Sequence, residues 1–566
     1  MQYQGIITIT KFGTGYVNCS DKSSILIPKE NINFAINGDT VDVEIISENE
    51  KGKIGKIISM PSFIGKKYIA IVHHFHKGNI FAYVEEIGKK NLICVKYKNK
   101  NKVSIGDYLY IEITDVNNGI VNSYIGKFGN ECFEKKFNLI DTNFDIKCNT
   151  LLNTVNRVDL TSHDVFTIDP IGSKDLDDAF SIIYEFGKGY HIYIHIADVS
   201  EYIYPGMSSF EDIMKKGNTI YGINRNWTML PRTLSDDLCS LIPGHKRFAI
   251  TNEFIFNGES LQHVGMFYSI IESKKQYTYE DIDILLNNNT VQNIIILNDA
   301  SLLINNILSM FPINLSSSTP SHKMVELFML LTNKVMGEFL YNKNKGNFRF
   351  HPQPYTNQLQ LLIKLFNMIS SNPSRNEILE KCLENKELLM NPMYDYIVKD
   401  IMRKAQYVPY NKPHSHYALG IENYIHFTSP IRRASDLLNH LMIKEYAFTD
   451  DEIEKYCTYF NDAEYIQVNV ENMISKYNSY MNMLNLVDTV IECYIISVRK
   501  TGISIYICNI EHDIHISQLS KEKLLFDNDN QTLKNDMYSY KLFDKINVMM
   551  EDVDIIKHEI IVRVNL

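Results

Sequence analysis

The stretch FTIDPIGSKDLDDAFSI, residues 166–182, carries four carboxylates, Asp169, Asp175, Asp177 and Asp178, within ten residues. No other feature restricts the folding of this chain as severely. Two such anions about 4 Å apart repel by about 4 kcal/mol at an effective dielectric near 20, so a bare cluster would neutralise itself or disrupt its flanks. The flanks alternate as strands do, and a strand period of two predicts that Asp175 and Asp177 point the same way, with Asp169 and Asp178 supplied by the two limbs of the turn. Ligands that are all oxygen suit Mg²⁺ or Mn²⁺ and not zinc. A pair of such ions about 4 Å apart would activate water and stabilise a leaving oxygen during in-line attack on phosphate, so the chemistry implied is phosphodiester hydrolysis. The competing readings are a solvated acidic loop and a calcium loop, and the EF-hand spacing that the latter requires is absent.

The rest of the sequence decides among them. At 566 residues the chain is too long for one ordinary core, and 45% hydrophobic with 22% charged residues predicts a globular protein of several domains. Nine scattered cysteines, none in a CxxC pair, argue against a disulfide framework and a zinc site, and fit a reducing compartment. The amino terminus, MQYQGIITITKFG, alternates like a strand, and no run of eighteen apolar residues occurs. The expectation is a cytoplasmic chain without signal, transit or membrane segment. A formal charge of -10 counts against a protein that coats RNA by charge alone, but not against one with a local basic channel and an acidic metal site.

Short alternating runs, GIITIT, GYVNC, SILIP and DTVDVEII, predict a small β-barrel over residues 1–62. YIAIVHHF, IFAYVEEI, LICVKY and GDYLYIEI predict a second over 63–135, and both units share a Gly-Asp dipeptide before a closing strand, Gly38-Asp39 and Gly106-Asp107. Residues 150–484 mix strands with helical periodicity, as in HKMVELFMLLTNKVMGEFLYNK, ASDLLNHLMIKEYAF and EYIQVNVENMISKYNSYMNMLNL, while LLNNNTVQN is expected to be a loop. Residues 485–566 return to strands and predict a third barrel. The fold class expected is therefore α+β, a mixed α/β domain flanked by small OB-type barrels.

Four further stretches, HIADVSEYIYPG, MLPRTLSDDLCSLIPG, HKMVELFMLLTN and HYALGIENYIHFTSPIRRASDLLNH, follow the aspartate cluster in the order seen in the RNase II and RNase R family. Across about 280 residues the chain resembles that family's catalytic domain. The flanks are similar to its two cold-shock-type barrels and one ribosomal-protein-type RNA-binding barrel. The resemblance implies a Mg²⁺-dependent, processive 3′-to-5′ exoribonuclease, with Mn²⁺ as a substitute, that threads single-stranded RNA and releases 5′-nucleoside monophosphates. It implies Asp169, Asp175, Asp177 and Asp178 as the metal-binding aspartates, with Asp177 the one whose loss abolishes cleavage, and Arg432 as the clamp on the scissile phosphate. A planar, bidentate cation fits that task better than lysine. Tyr221 and Tyr279 take the positions of stacking tyrosines, where stacking supplies about 1–3 kcal/mol per base without regard to its identity. For both the alternative is ordinary core packing, and Trp227 is expected in the core.

Glu326 matches a family glutamate, but its usual neighbouring glutamate is replaced by Leu327, and Ala434 stands where a bulky residue usually follows PIRR. These departures bear on contacts to the terminal ribose. His195, His351 and His440 read as structural, Asp198 and Asp436 as partners that orient helices or arginines, and Arg349 as a phosphate contact or a buried ion-pair partner. In the first barrel Lys11, Phe12 and Tyr16 are candidate RNA contacts, and KYKNKNK (96–102) offers lysines in the second, or a plain solvated hairpin. The partner expected is single-stranded RNA bound by a monomer, with a helicase or degradation complex as an outside partner. No Walker motif occurs, so no ATP-driven unwinding is expected from the chain itself. The alternative function is a catalytically silent RNA-binding regulator, although a silent clamp has no physical need for four mutually repelling anions.

Overall fold

The computed structural model describes residues 2–9, 14–19, 24–49, 52–88, 91–99, 102–144, 156–308, 310, 319–355, 359, 363, 373–384, 396, 398, 401–520, 522–527, 532–555 and 558–564. Lys11, Phe12 and Lys100 lie outside the described residues.

Five strands close the first barrel, Gln2–Ile9, Gly15–Cys19, Ser24–Ile27, Thr40–Asn49 and Gly52–Ile57. Alternation along them buries Ile7, Val17, Ile25, Ile27, Val41, Val43 and Ile57. The fifth strand was not expected from sequence, because Lys51-Gly52-Lys53 breaks the pattern. Gly52, at φ +126°, supplies the turn back. A second closed five-stranded barrel follows, Lys67–His76, Asn79–Tyr83, Ile93–Lys96, Tyr108–Asp115 and Asn118–Gly126. Here the expected strand IFAYVEEI ends at Tyr83, and Asn118–Gly126 was missed.

The central sheet holds the strands Val158–Asp159, Leu261–Thr278, Val165–Asp169, Asp178–Glu185, Gly189–Ala197 and Lys246–Phe256 in that order. Leu261–Thr278 is 18 residues long and pairs with Lys246–Phe256 through its first part and with Val165–Asp169, in parallel, through its last, so the sheet curls back on itself. Helices Tyr279–Asn288, Gln292–Ile307, Pro320–Asn342 and Ala434–Ile443 pack on it around the largest apolar core. The expected loop LLNNNTVQN is a correction: its first residues end one helix, its last begin the next, and only Asn289–Val291 connects them. Asn289 takes the left-handed C-cap conformation, φ 49°, which asparagine tolerates.

A 35-residue helix, Asp450–Leu484, then crosses the molecule. It starts fourteen residues before the expected segment, at a capping box in which Thr449 Oγ1 accepts from the Glu452 N–H and Glu452 accepts from the Thr449 N–H. Its Lys476 donates to Glu85 of the second barrel (2.8 Å), and its Tyr480 hydroxyl donates to the carbonyl of His558 (2.6 Å). Beyond it, a five-stranded sheet and a three-stranded sheet share one core built from Cys493, Ile505, Leu533, Tyr540, Val548 and their neighbours.

Candidate active site

Asp169 closes Val165–Asp169 and Asp178 opens Asp178–Glu185. These strands are antiparallel with Phe166 opposite Phe180, so both carboxylates arrive at the same end of the sheet. Val165, Phe166 and Ile168 are buried in the main core, which anchors the first strand and leaves its terminal aspartate at the rim. Asp175 and Asp177 are not on a strand, which corrects the sequence expectation. They belong to an irregular segment in which Asp175 is half-buried and both Leu176 and Asp177 are buried. Ser240 and Leu241, from the MLPRTLSDDLCSLIPG stretch, staple that segment: Leu176 N–H donates to Ser240 Oγ (3.0 Å), Ser240 Oγ donates to the Lys174 carbonyl (2.5 Å), and Leu241 N–H donates to the Leu176 carbonyl (3.1 Å).

From 255 positions away, the loop before helix Ala434–Ile443 closes the site. The Ile431 N–H donates to Asp177 Oδ1 (2.8 Å) and Arg432 Nε to Oδ2 (3.2 Å). Asp177 is 3% exposed, whereas the Arg432 side chain is 44% exposed, so the guanidinium spans from buried carboxylate to open surface. Its second anchor is Ser429, whose hydroxyl accepts from an Arg432 amino group at 2.9 Å. Tyr221 donates through its hydroxyl to Asp175 Oδ2 (3.1 Å). Its segment is zipped to the arginine loop, with Thr219 N–H donating to the Arg432 carbonyl (2.9 Å) and Ala434 N–H to the Gly217 carbonyl (2.7 Å). Tyr221 and Arg432 therefore hold positions that depend on each other.

Asp169 and Asp178 each keep one buried oxygen, Oδ2, without a hydrogen-bond partner. Burial pushes Asp169 up to about 6, with the Asp175 charge adding to it. Burial likewise pushes Asp177 up to about 7 against the opposing pull of Arg432, and raises Asp178, on which the charges of Asp169 and Asp177 also bear. Buried polar atoms without partners are rare in folded proteins, and two on adjacent strands, both hard anionic oxygens, fit a hard cation. Among the described residues no three His, Cys, Asp or Glu side chains converge as a ready-made ligand set. Tyr221 engages Asp175, and Ile431 with Arg432 engages Asp177.

The remaining sequence candidates divide. Tyr279 begins helix Tyr279–Asn288 directly after Thr278, which lies beside Asp169 in the sheet, and its phenol is raised by burial and by the charges of Asp178 and Asp169. Its ring stacks on His322, a residue that sequence reasoning passed over, with centroids 3.7 Å apart and planes at 12°. Glu326, one turn beyond His322, is exposed and ion-paired with Lys323 at 3.0 Å, while Leu327 faces the core at 2% exposure. Tyr16 is 43% exposed on the first barrel, and Lys96, Lys98 and Lys102 are exposed on the second. Arg349 forms an ion pair with Glu464 and lies over the Tyr407 ring. His195 is buried between Ser181 Oγ and Thr251 Oγ1, each at 2.9 Å, His440 Nε2 bonds the Phe427 carbonyl at 2.8 Å, and Trp227 is fully buried.

Two closed barrels ahead of a curled mixed sheet, a cluster of acidic residues at the sheet's rim closed by one arginine loop, and a third β unit behind define the RNB-type architecture. Sequence comparison agrees. The RNB domain family model matches residues 157–307 and 293–449, and that of the ribonuclease B OB domain matches residues 5–59. Ribonuclease R of Mycoplasma genitalium is 23% identical over 98% of this chain and 88% of its own. A solved structure of that protein with ribose-methylated single-stranded RNA superposes with a TM-score of 0.81 at 21% identity, covering 99% of this chain and all of that one. Yeast Ssd1, a pseudonuclease, superposes with a TM-score of 0.71 at 17% identity over 94% of this chain and 81% of its own. The chain belongs to the RNase II and RNase R family of RNB-domain proteins.

Proposed function

We propose that this chain is a 3′-to-5′ exoribonuclease that hydrolyses single-stranded RNA processively to 5′-nucleoside monophosphates with Mg²⁺, working as a cytoplasmic monomer. The observation that carries the reading is the pair of buried, unpartnered Oδ2 atoms on Asp169 and Asp178 beside an Asp177 already fixed by Ile431 and Arg432. Fold alone does not separate an enzyme from a silent clamp, since the superposition extends to a pseudonuclease. The unfinished carboxylates favour the enzyme, because a clamp gains nothing from desolvated charge left unpaired.

Asp169 and Asp178 would hold the cation, joined by Asp175 once its hydrogen bond from Tyr221 is released. A divalent ion held there would supply activation of a water and neutralise charge on the departing oxygen. The residues of the chain do the rest. Arg432, clamped at Ser429 and Asp177, presents its exposed edge to a phosphate in a fixed orientation. Asp177, with both oxygens engaged, keeps that guanidinium aimed. Tyr221 sits between the arginine loop and the aspartates, where a ring can pack on the terminal base while the 3′ end is drawn in. Tyr16 and the exposed lysines of the second barrel would guide the strand upstream.

The test is direct. Single strands labelled at either end are incubated with Mg²⁺ or with EDTA. The expected result is stepwise release of mononucleotides from the 3′ end that stops with EDTA, and RNA retained without any release in Mg²⁺ would establish the silent regulator instead.

A further inference from the structure

We propose that His322, and not Tyr279, presents the outer stacking surface on this side of the pocket: the terminal base packs on the imidazole, which Tyr279 backs from within. This rests on the exoribonuclease reading for its substrate, but its geometry stands alone. Tyr279 is half-buried and packs against the main core, and its ring is covered by His322 at 3.7 Å and 12°, a nearly parallel stack. His322 is exposed. A base cannot lie on the covered face of Tyr279 without first displacing the imidazole, so the ring that an incoming strand meets is that of His322.

The imidazole is held against displacement. The Thr319 hydroxyl lies 2.8 Å from His322 Nδ1, and Thr319 is the N-cap of helix Pro320–Asn342. The same helix end is tied to the tyrosine's helix, because the Ser321 N–H donates to Asp283 Oδ1 at 2.9 Å. Both rings thus sit in the first turns of two helices that are bonded to each other, which fixes their spacing before any ligand arrives. A two-ring stack presents a polarisable face indifferent to base identity, and a pre-formed one spends no conformational entropy on binding.

Three variants separate the possibilities. His322→Ala removes the ring, His322→Gln keeps a polar group for Thr319 without a ring, and His322→Phe restores a ring without the hydrogen bond. Each is placed in the full chain carrying Asp177→Asn and titrated with a single-stranded RNA bearing 2-aminopurine at its 3′ end. Melting curves matched to the parent show that the fold is kept, as expected for an exposed side chain. The expected result is about tenfold weaker binding and loss of fluorescence quenching for Ala and Gln, with both retained in Phe. In the active background, Ala should raise KM about tenfold with kcat little changed, and the difference should vanish on an RNA ending in an abasic nucleotide. Unchanged or tighter binding by His322→Ala overturns the proposal, the latter showing that His322 is a cover over Tyr279. Failure of the exoribonuclease reading looks different: the unmodified chain would release no nucleotide with Mg²⁺ while the quenching still depended on His322.

Discussion

Two sets of buried aspartates in the same domain have opposite fates. Asp198 accepts from Ser200 Oγ (2.5 Å), Arg157 (2.6 Å) and Lys444 (2.9 Å), and Asp436 accepts from the Ser429 N–H, Ser435 Oγ and two nitrogens of Arg433, all at 2.8–2.9 Å. Burial alone would raise Asp198, but Lys444 and Arg157 outweigh it and hold the carboxyl at about 2. Asp169 and Asp178 are each left with one buried, unpartnered oxygen and stand above the ordinary carboxylate range. The difference lies in who completes the carboxylate's bonds. Where the chain supplies every donor, the anion is a strut; where it withholds one, the carboxylate is among those proposed above to hold a cation.

The sharpest way to break this contrast is at Asp177, which shares both characters. Asp177→Asn is expected to cut nucleotide release by at least about 10³-fold, on the order of 4 kcal/mol, while RNA affinity and fold are kept. Turnover at the parental rate would remove it from the active site. On the strut side, Asp198→Asn leaves Arg157 and Lys444 buried against too little charge and should cost about 3–5 kcal/mol in urea unfolding. Asp178→Asn, measured in EDTA, should cost nothing or stabilise. If the two substitutions destabilise equally, the distinction fails.

pH sharpens it further. A carboxyl raised in the folded state binds its proton more tightly there, so its contribution to stability is fully present below the unfolded value near 3.9 and is lost as pH rises through about 6 for Asp169 and about 7 for Asp177. Without metal, Asp169→Asn should therefore melt above the parent at pH 7.5, with the gap closing towards pH 4. Asp198 runs the other way, its contribution present above pH 4 and lost as pH falls through about 2. Smaller effects belong to the periphery. Tyr221→Ala should slow the last cycles about tenfold or lengthen the final fragment, read on a sequencing gel, and Tyr16→Ala should weaken RNA binding only about fivefold by titration.

Much of this was legible in the sequence for a physical reason. Four like charges in ten residues demand an explanation wherever they occur, and the alternating runs around Ile168 and Phe180 flank the cluster as strands, with Asp169 and Asp178 at their ends. The helix start at Thr449 was equally open to reading, since Thr-x-x-Glu is a local signal, but the polar run behind it hid the periodicity. Other features could not be read from spacing. The Ile431 N–H that fixes Asp177 is a backbone group supplied from a distant loop, and only the resemblance brought Arg432 into view. Tyr279 and His322 meet because two helix ends are bonded together, and nothing within either helix specifies the other's rotation. Asp175 failed as a strand residue because Ser240 competes for the hydrogen bonds that a sheet neighbour would have taken.

The long helix Asp450–Leu484 contains neither glycine nor proline. At 1.5 Å per residue it is an axle of about 52 Å, reaching Arg349 and Asn218 through Glu464 and Gln467, then the second barrel and the carboxy-terminal unit through Lys476 and Tyr480. With no hinge along it, the interval between those attachments is dictated by backbone geometry. Splicing one extra turn into its exposed middle would lengthen that interval by about 5 Å and swing one end relative to the other, turning the helix into a gauge whose setting can be altered at will.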